Sequence, residues 1–185
     1  MVIFKIIWAS WLISEIMLSR FRRAKSPNTK GWDKSSLSIM WVTICISISL
    51  GVIIMIFTPI TISRSYLIAY LGLTLIISGI VIRIASIRTL GNFFTVNLAI
   101  HNDHQLITTG LYKNIRHPSY TGSLLSFIGL GVSFNNWLSL AVIVIPIIIS
   151  FIYRINVEEQ MLLKQFGSEY IAYKKNSKRL IPLIY

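Results

Sequence analysis

Ser36-Leu-Ser-Ile-Met-Trp-Val-Thr-Ile-Cys-Ile-Ser-Ile-Ser-Leu-Gly-Val-Ile-Ile-Met-Ile-Phe-Thr58 carries no charged side chain along its whole length. A helix that crosses a bilayer needs ~20 apolar residues, and this run supplies them. Working outward, four more segments approach that length: residues 2–19, 66–88, 119–134 and 137–153. The fourth is short and pairs with the fifth as a hairpin across Asn135-Asn136. The 185 residues are 54% hydrophobic and the mean hydropathy is +0.68, more apolar than ordinary soluble domains. The expectation is an all-α, polytopic membrane helical bundle of about five spans with a cytoplasmic C-terminal amphipathic helix. At this length it is a single membrane domain, 1–185. Three N-terminal spans fill 1–88, and 89–185 forms the half that carries chemistry.

The formal net charge is +12. In a soluble protein that would suggest nucleic acid, but the distribution argues otherwise. Arg20, Arg22, Arg23, Lys25, Lys30 and Lys34 follow the first segment, and Arg88, Lys113 and Arg116 lie between the third and fourth. Arg154, Lys164, Lys174, Lys175, Lys178 and Arg179 follow the fifth. Only Lys5 and Arg64 fall on the other side, and Arg83 lies within a helix. This is the positive-inside pattern, with the N-terminus outside and the C-terminus in the cytoplasm. The basic clusters face anionic headgroups, so membrane lipids are the expected partners and nucleic acid is not.

Other features read as structure. Cys45, the only cysteine, sits mid-helix as a small core residue and forms no disulfide within the chain. Residues 1–19 read as a retained helix rather than a cleaved signal, because Lys5 and Glu15 interrupt the run and no small-x-small site follows. Ser35-Ser36 are acceptable N-caps for the second span. Gly72, Ser78 and Gly79 allow close helix packing in lipid. Leu162, Phe166, Tyr170 and Tyr173 share one helical face, with Gly167 weakening that helix midway. The apolar end, Leu180 to Tyr185, docks on the bundle.

Two polar clusters stand out at the ends of apolar runs. Gly110-Leu-Tyr-Lys-Asn-Ile-Arg-His-Pro-Ser-Tyr120 is one, and Arg154-Ile-Asn-Val-Glu158-Glu159 is the other. Ionisable groups near lipid are costly unless they bind something. Arg154 and Glu158 are four apart and share a helix face, either as an ion pair or as part of a site. A guanidinium fork suits a carboxylate or phosphate, and a nearby glutamate suits hydroxyls or a cation. His117, before Pro118 at a helix start, is a ligand hydrogen-bonder or a buried structural histidine. Tyr112 and Tyr120 either stack on a base or sulfonium or belong to the interfacial aromatic belt. His101 and His104 lack enough ligating partners for a transition metal, so no metal is expected. No phosphate-binding loop, dinucleotide fingerprint, zinc-protease motif or serine elbow is present.

Together these motifs resemble the isoprenylcysteine carboxyl methyltransferase family, an integral membrane methyltransferase superfamily, over roughly residues 88–185. His104-Gln-Leu-Ile-Thr-Thr-Gly110-x-Tyr112 is similar to H-x-L-V-x-x-G-x-Y, and Arg116-His-Pro-Ser-Tyr120 to R-H-P-x-Y. Arg154 to Glu159, with Phe166-Gly-x-Glu-Tyr170-x-x-Tyr173, resembles the family's ending. The resemblance implies a methyltransferase that uses S-adenosylmethionine in a cytoplasm-facing pocket. By position, His104, Gln105, Leu106, Ile107, Tyr112, His117, Pro118, Ser119, Tyr120 and Glu158 would line the cofactor pocket. Arg154 would meet a lipid-like or prenylated methyl acceptor, and Arg154 and Glu158 would be the catalytic residues. Asn97 falls where relatives carry glutamine. The N-terminal half shows no matching motif.

The implied reaction is carboxyl O-methylation of an isoprenylcysteine-like substrate at the membrane boundary, driven by positioning and electrostatics. Other acceptors keep the same fold: a phospholipid amine, a small thiol or a lipid-like phenol. A non-catalytic scaffold or lipid-binding protein is a reading from another class. A sterol-reductase-like enzyme using a nicotinamide shares the broad layout, although no residue here marks a nicotinamide site.

Overall fold

A computed structural model describes residues 2–21, 35–94 and 105–181. Helices occupy all five expected segments: α1 (Val2–Phe21), α2 (Ser36–Phe57), α3 (Leu67–Leu90), α4 (Pro118–Ser133) and α5 (Trp137–Phe166), followed by α6 (Ser168–Asn176). Among the described residues α2, α5 and α3 with its extension to Phe93 are long and apolar enough to cross a membrane. The protein is an integral membrane bundle. At 16 residues, α4 is about 24 Å long and falls short of the ~30 Å hydrocarbon core.

Two antiparallel pairs make the bundle. On α3 and α4, a Cβ added at Gly72 would lie 2.5 Å from Ser133 N, and one at Gly79 2.4 Å from the Gly122 carbonyl. Gly122 and Gly129 approach α3 as closely in return. The helices touch backbone to backbone, as small residues permit in lipid. Ser78, in contrast, is exposed and takes no part. On α2 and α5, Ser139 Oγ donates to the Gly51 carbonyl, and Ser36 meets Arg154. Ile76, Phe127, Ile143, Ile147 and Phe151 are buried between the pairs. α1 closes the bundle through edge-on contacts of Trp11 with Phe127 and Trp8 with Phe134.

The far end is a polar knot. Asn135 turns with a positive φ of 52°, a region asparagine tolerates. Asn136 caps α5 by accepting from Ser139 N and donates to the Thr58 carbonyl. This is the expected hairpin.

Several expectations are corrected. α5 does not stop near residue 153 but continues unbroken to Phe166, about 45 Å at 1.5 Å per residue. Arg154 therefore projects from mid-helix, with Pro146 accommodated as membrane helices allow. Gly167, with φ of 51°, ends α5 rather than weakening it. Leu162, Phe166, Tyr170 and Tyr173 still face inward across that break, with Tyr170 fully buried. Cys45 is exposed, not core, and it lines an apolar cavity of the bundle. Ser35 does not cap α2 through its side chain, and Ser36 Oγ accepts from Arg154. Of the apolar C-terminal stretch, Leu180 is buried and Ile181 exposed, and residues 182–185 lie outside the described residues.

Candidate active site

The end of the bundle opposite the Asn135-Asn136 knot gathers the polar residues. Pro118 starts α4, and its fixed φ suits a first helical position. This aims His117, Ser119 and Tyr120 inward. The preceding strand-like segment is held by the chain's last described residues. Arg116 N and His117 N donate to the carbonyls of Lys178 and Arg179, and Lys178 N to that of Asn114. Thr121 Oγ1 reaches the Leu180 carbonyl at 2.7 Å. Arg116 also donates to the carbonyl of Ser177.

Glu159 is the hub beneath this strap. Its Oε1 lies 2.9 Å from Arg116 Nε and 3.4 Å from His117 Nε2, and its Oε2 2.8 Å from Arg179 Nη2. Lys174 Nζ stands 3.4 Å away. A buried carboxylate is tolerable when so surrounded. Glu158 turns the other way. Tyr120 Oη donates to Glu158 Oε2 at 3.0 Å and accepts from Arg154 Nε at 3.1 Å. Arg154 is also anchored on Ser36 Oγ at 2.7 Å. Tyr120 thus links the two residues that stand four apart on α5. His117 sits between the glutamates, its Nδ1 3.7 Å from Glu158 Oε1.

Arg116, His117, Tyr120, Arg154 and Glu158 line a cavity of about 140 Å³, the more polar of two in the bundle. Nine predicted residues meet there: Gln105, Leu106, Ile107, Tyr112, His117, Ser119, Tyr120, Arg154 and Glu158. Pro118 is buried at the helix start, outside the lining. His104, Asn97 and His101 lie outside the described residues. Burial, reinforced by Glu158, pushes the Tyr112 phenol well above its ordinary range, so it stays neutral. Burial also lifts Tyr173 to about 12; its hydroxyl donates to the Tyr112 carbonyl at 2.6 Å.

Beside this cavity lies an apolar one of about 360 Å³, walled by α1, α2 and the inner aromatics Phe127 and Phe151. Met40, Arg83 and Tyr120 line both. Arg83, Met40, Phe93, Phe94, Met161 and Ser36 also reach these cavities or their residues, although none belongs to a sequence motif of the site. One signal was available: Glu15 and Arg83 are opposite charges inside apolar segments, and intramembrane charges pair.

Residues 67–169, more than half of the chain, match the family model described as phospholipid methyltransferase. The chain belongs to this family. The match runs from α3 to the start of α6, taking in the lining of the polar cavity except Met40 and Tyr173 and leaving α1 and α2 outside. Among curated relatives, a probable protein-S-isoprenylcysteine O-methyltransferase of Oryza sativa subsp. indica is 36% identical over 121 residues, 64% of this chain and 63% of that one. The protein-S-isoprenylcysteine O-methyltransferase of Saccharomyces cerevisiae is 38% identical over 116 residues, 62% and 48% respectively. A solved structure of the eukaryotic intramembrane Ras methyltransferase, isoprenylcysteine carboxyl methyltransferase, superposes with a TM-score of 0.62 at 32% identity. It covers 78% of this chain and 52% of that one. The chain thus spans about half to two thirds of the length of these relatives. The resemblance read from the three motifs is borne out.

Proposed function

We propose that the protein is an S-adenosylmethionine-dependent methyltransferase acting on the carboxylate of a lipid-like, isoprenylcysteine-type acceptor. The observation that carries this reading is the shared wall between a polar cavity and an apolar one. A soluble donor and a lipid acceptor need two such chambers meeting at one point. The named relatives support the choice of reaction.

The polar cavity suits the cofactor by its chemistry. Glu158, Tyr112 and Tyr120 offer a carboxylate and aromatic faces to a sulfonium cation, and Arg116 and His117 offer donors to its carboxylate end. Gln105, Leu106 and Ile107 would hold it from the remaining side, with His104 adjoining in sequence. S-adenosylmethionine supplies a methyl already activated on sulfur, so one electron pair shifts from acceptor oxygen to carbon while the carbon–sulfur pair stays on sulfur. No proton need move. Arg154 therefore serves by charge and position rather than as an acid. Its guanidinium balances the acceptor carboxylate, and its bond to Tyr120 keeps Tyr120 in register with Glu158. The apolar cavity takes the tail and excludes water. The site faces the cytoplasm, because Arg88, Lys113, Lys174, Lys175 and Lys178 accompany it at one end.

Calorimetry on the detergent-solubilised protein tests the donor half. S-adenosylmethionine binds at micromolar levels, and His117→Ala with Tyr120→Ala abolishes binding while the fold persists by circular dichroism. Unchanged binding in that double variant, or none in the wild type at millimolar cofactor, defeats the reading.

A further inference from the structure

Glu15 Oε1 and Arg83 Nε stand 2.7 Å apart, with side chains only 13% and 17% exposed. One comes from α1 and the other from α3, within apolar segments where ionisable groups are expensive and mark function. The pair lies outside the Arg154–Tyr120–Glu158 linkage. Its location is informative. Of the three residues lining both cavities, Arg83 is the only cation. Glu15 lines the apolar cavity alone. On the polar side, Arg83 Nη1 donates to Ser119 Oγ at 3.0 Å and to its carbonyl at 3.3 Å. The guanidinium thus lies at the wall, with Glu15 as an ion-pair neighbour of Nε on the lipid side and Ser119 accepting from Nη1 on the donor side.

We propose that Arg83, held in place by Glu15, is an anion-selecting contact for the acceptor's head group. This rests on the function proposed above and deepens it, by naming head-group charge as what the pair selects. A tail in the apolar cavity leaves its head at the shared wall, beside Arg83. Glu15 and Ser119 engage two of the three guanidinium nitrogens, and among the described residues none engages Nη2. A carboxylate can share the cation there without evicting Glu15. Arg154, 1% exposed and tied to Tyr120 and Ser36, lies beyond this first contact. Glu15 has two effects. It holds the fork in position, and it cancels Arg83's charge, so that acid binding is moderate and reversible.

The test uses the full-length protein in nanodiscs and three probes with one farnesyl thioether tail: a carboxylic acid, an alcohol and an amine. Binding of each is measured by competition, with S-adenosylmethionine affinity followed in parallel. The wild type favours acid over alcohol about fivefold, equivalent to roughly 1 kcal/mol, and disfavours the amine. Glu15→Gln widens the acid preference, because the cation is no longer neutralised. Arg83→Gln removes the preference. The double variant, which leaves no unpaired charge, also removes it and covers the case in which Arg83→Gln alone does not fold. Cofactor affinity stays within about twofold in Glu15→Gln, whose side chain lines the apolar cavity alone. An acid-to-alcohol ratio that is the same in the wild type, Glu15→Gln and the double variant overturns the proposal, as does a wild-type preference for the amine. Shifting ratios without methyl transfer to any probe would sink the proposed function and leave this inference standing. Methyl transfer with unmoved ratios would do the reverse.

Discussion

Glu158 and Glu159 are neighbours in sequence with opposite duties. Glu159 has a side chain 5% exposed and faces Arg116, His117, Arg179 and Lys174. Its neutralisation strands several cations, and breaking such a buried network costs ~3–5 kcal/mol. Glu159→Gln should therefore lower the melting temperature markedly and weaken cofactor binding only through loss of the strap. Glu158, 24% exposed and directed at Tyr120, should behave the other way. Glu158→Gln keeps the melting temperature and loses at least tenfold in cofactor affinity by calorimetry, since a tenfold change needs only ~1.4 kcal/mol. The sequence marked both glutamates as a cluster, because acidic residues are rare in this chain. It could not separate them, since the separation depends on Lys178 and Arg179 folding back onto residues 114–117. Nothing local in sequence announces that contact. The convergence of Arg154, His117 and Tyr120 was legible because each motif sits at one end of an apolar run.

At the scale of elements, the α3–α4 seam is the tightest contact. A methyl at Gly79 would meet the Gly122 carbonyl and Ser126 backbone N at 2.4 and 2.8 Å, whereas one at Gly51 would meet Ile143 side-chain atoms at 2.6 Å. Backbone cannot yield as a side chain can. Gly79→Ala should cost ~1–3 kcal/mol, visible as a lowered thermal midpoint, and clearly more than Gly51→Ala. Docking of α6 carries a pH signature. Tyr173 is lifted by burial to about 12, above its unfolded value of ~10. The stability it contributes is complete below pH ~10 and is lost as pH rises from there toward 12. Tyr173→Phe should flatten thermal stability across that window; an unchanged alkaline profile would remove Tyr173 from the account. The helices themselves were readable, since apolar length sets them. The length of α5 was not. Arg154, Glu158 and Glu159 looked like the end of a run, but helical geometry continues wherever buried partners satisfy the charges, and those partners come from α2, α4 and the C-terminal strap.

Among the described residues, the ion pairs around Glu158 and Glu159 gather at one end of the bundle and a plain polar hairpin lies at the other. α1 and α2, outside the family match, supply Glu15, Ser36 and Met40 to the site. Their part was illegible in the sequence because single residues in apolar helices form no motif. The central claim is that donor and lipid acceptor meet at the shared wall, with Arg154 balancing the acceptor's charge. Its most direct test is tritiated-methyl transfer from S-adenosylmethionine in nanodiscs. The competing acceptors are a farnesylcysteine acid, its methyl ester and phosphatidylethanolamine. The account predicts label in the acid alone, as a base-labile ester. Arg154→Ala should cut the rate ~10²–10³-fold, the usual loss on removing a charge-stabilising contact, with cofactor affinity retained. Label appearing in the phospholipid amine, or undiminished ester formation by Arg154→Ala, would contradict it.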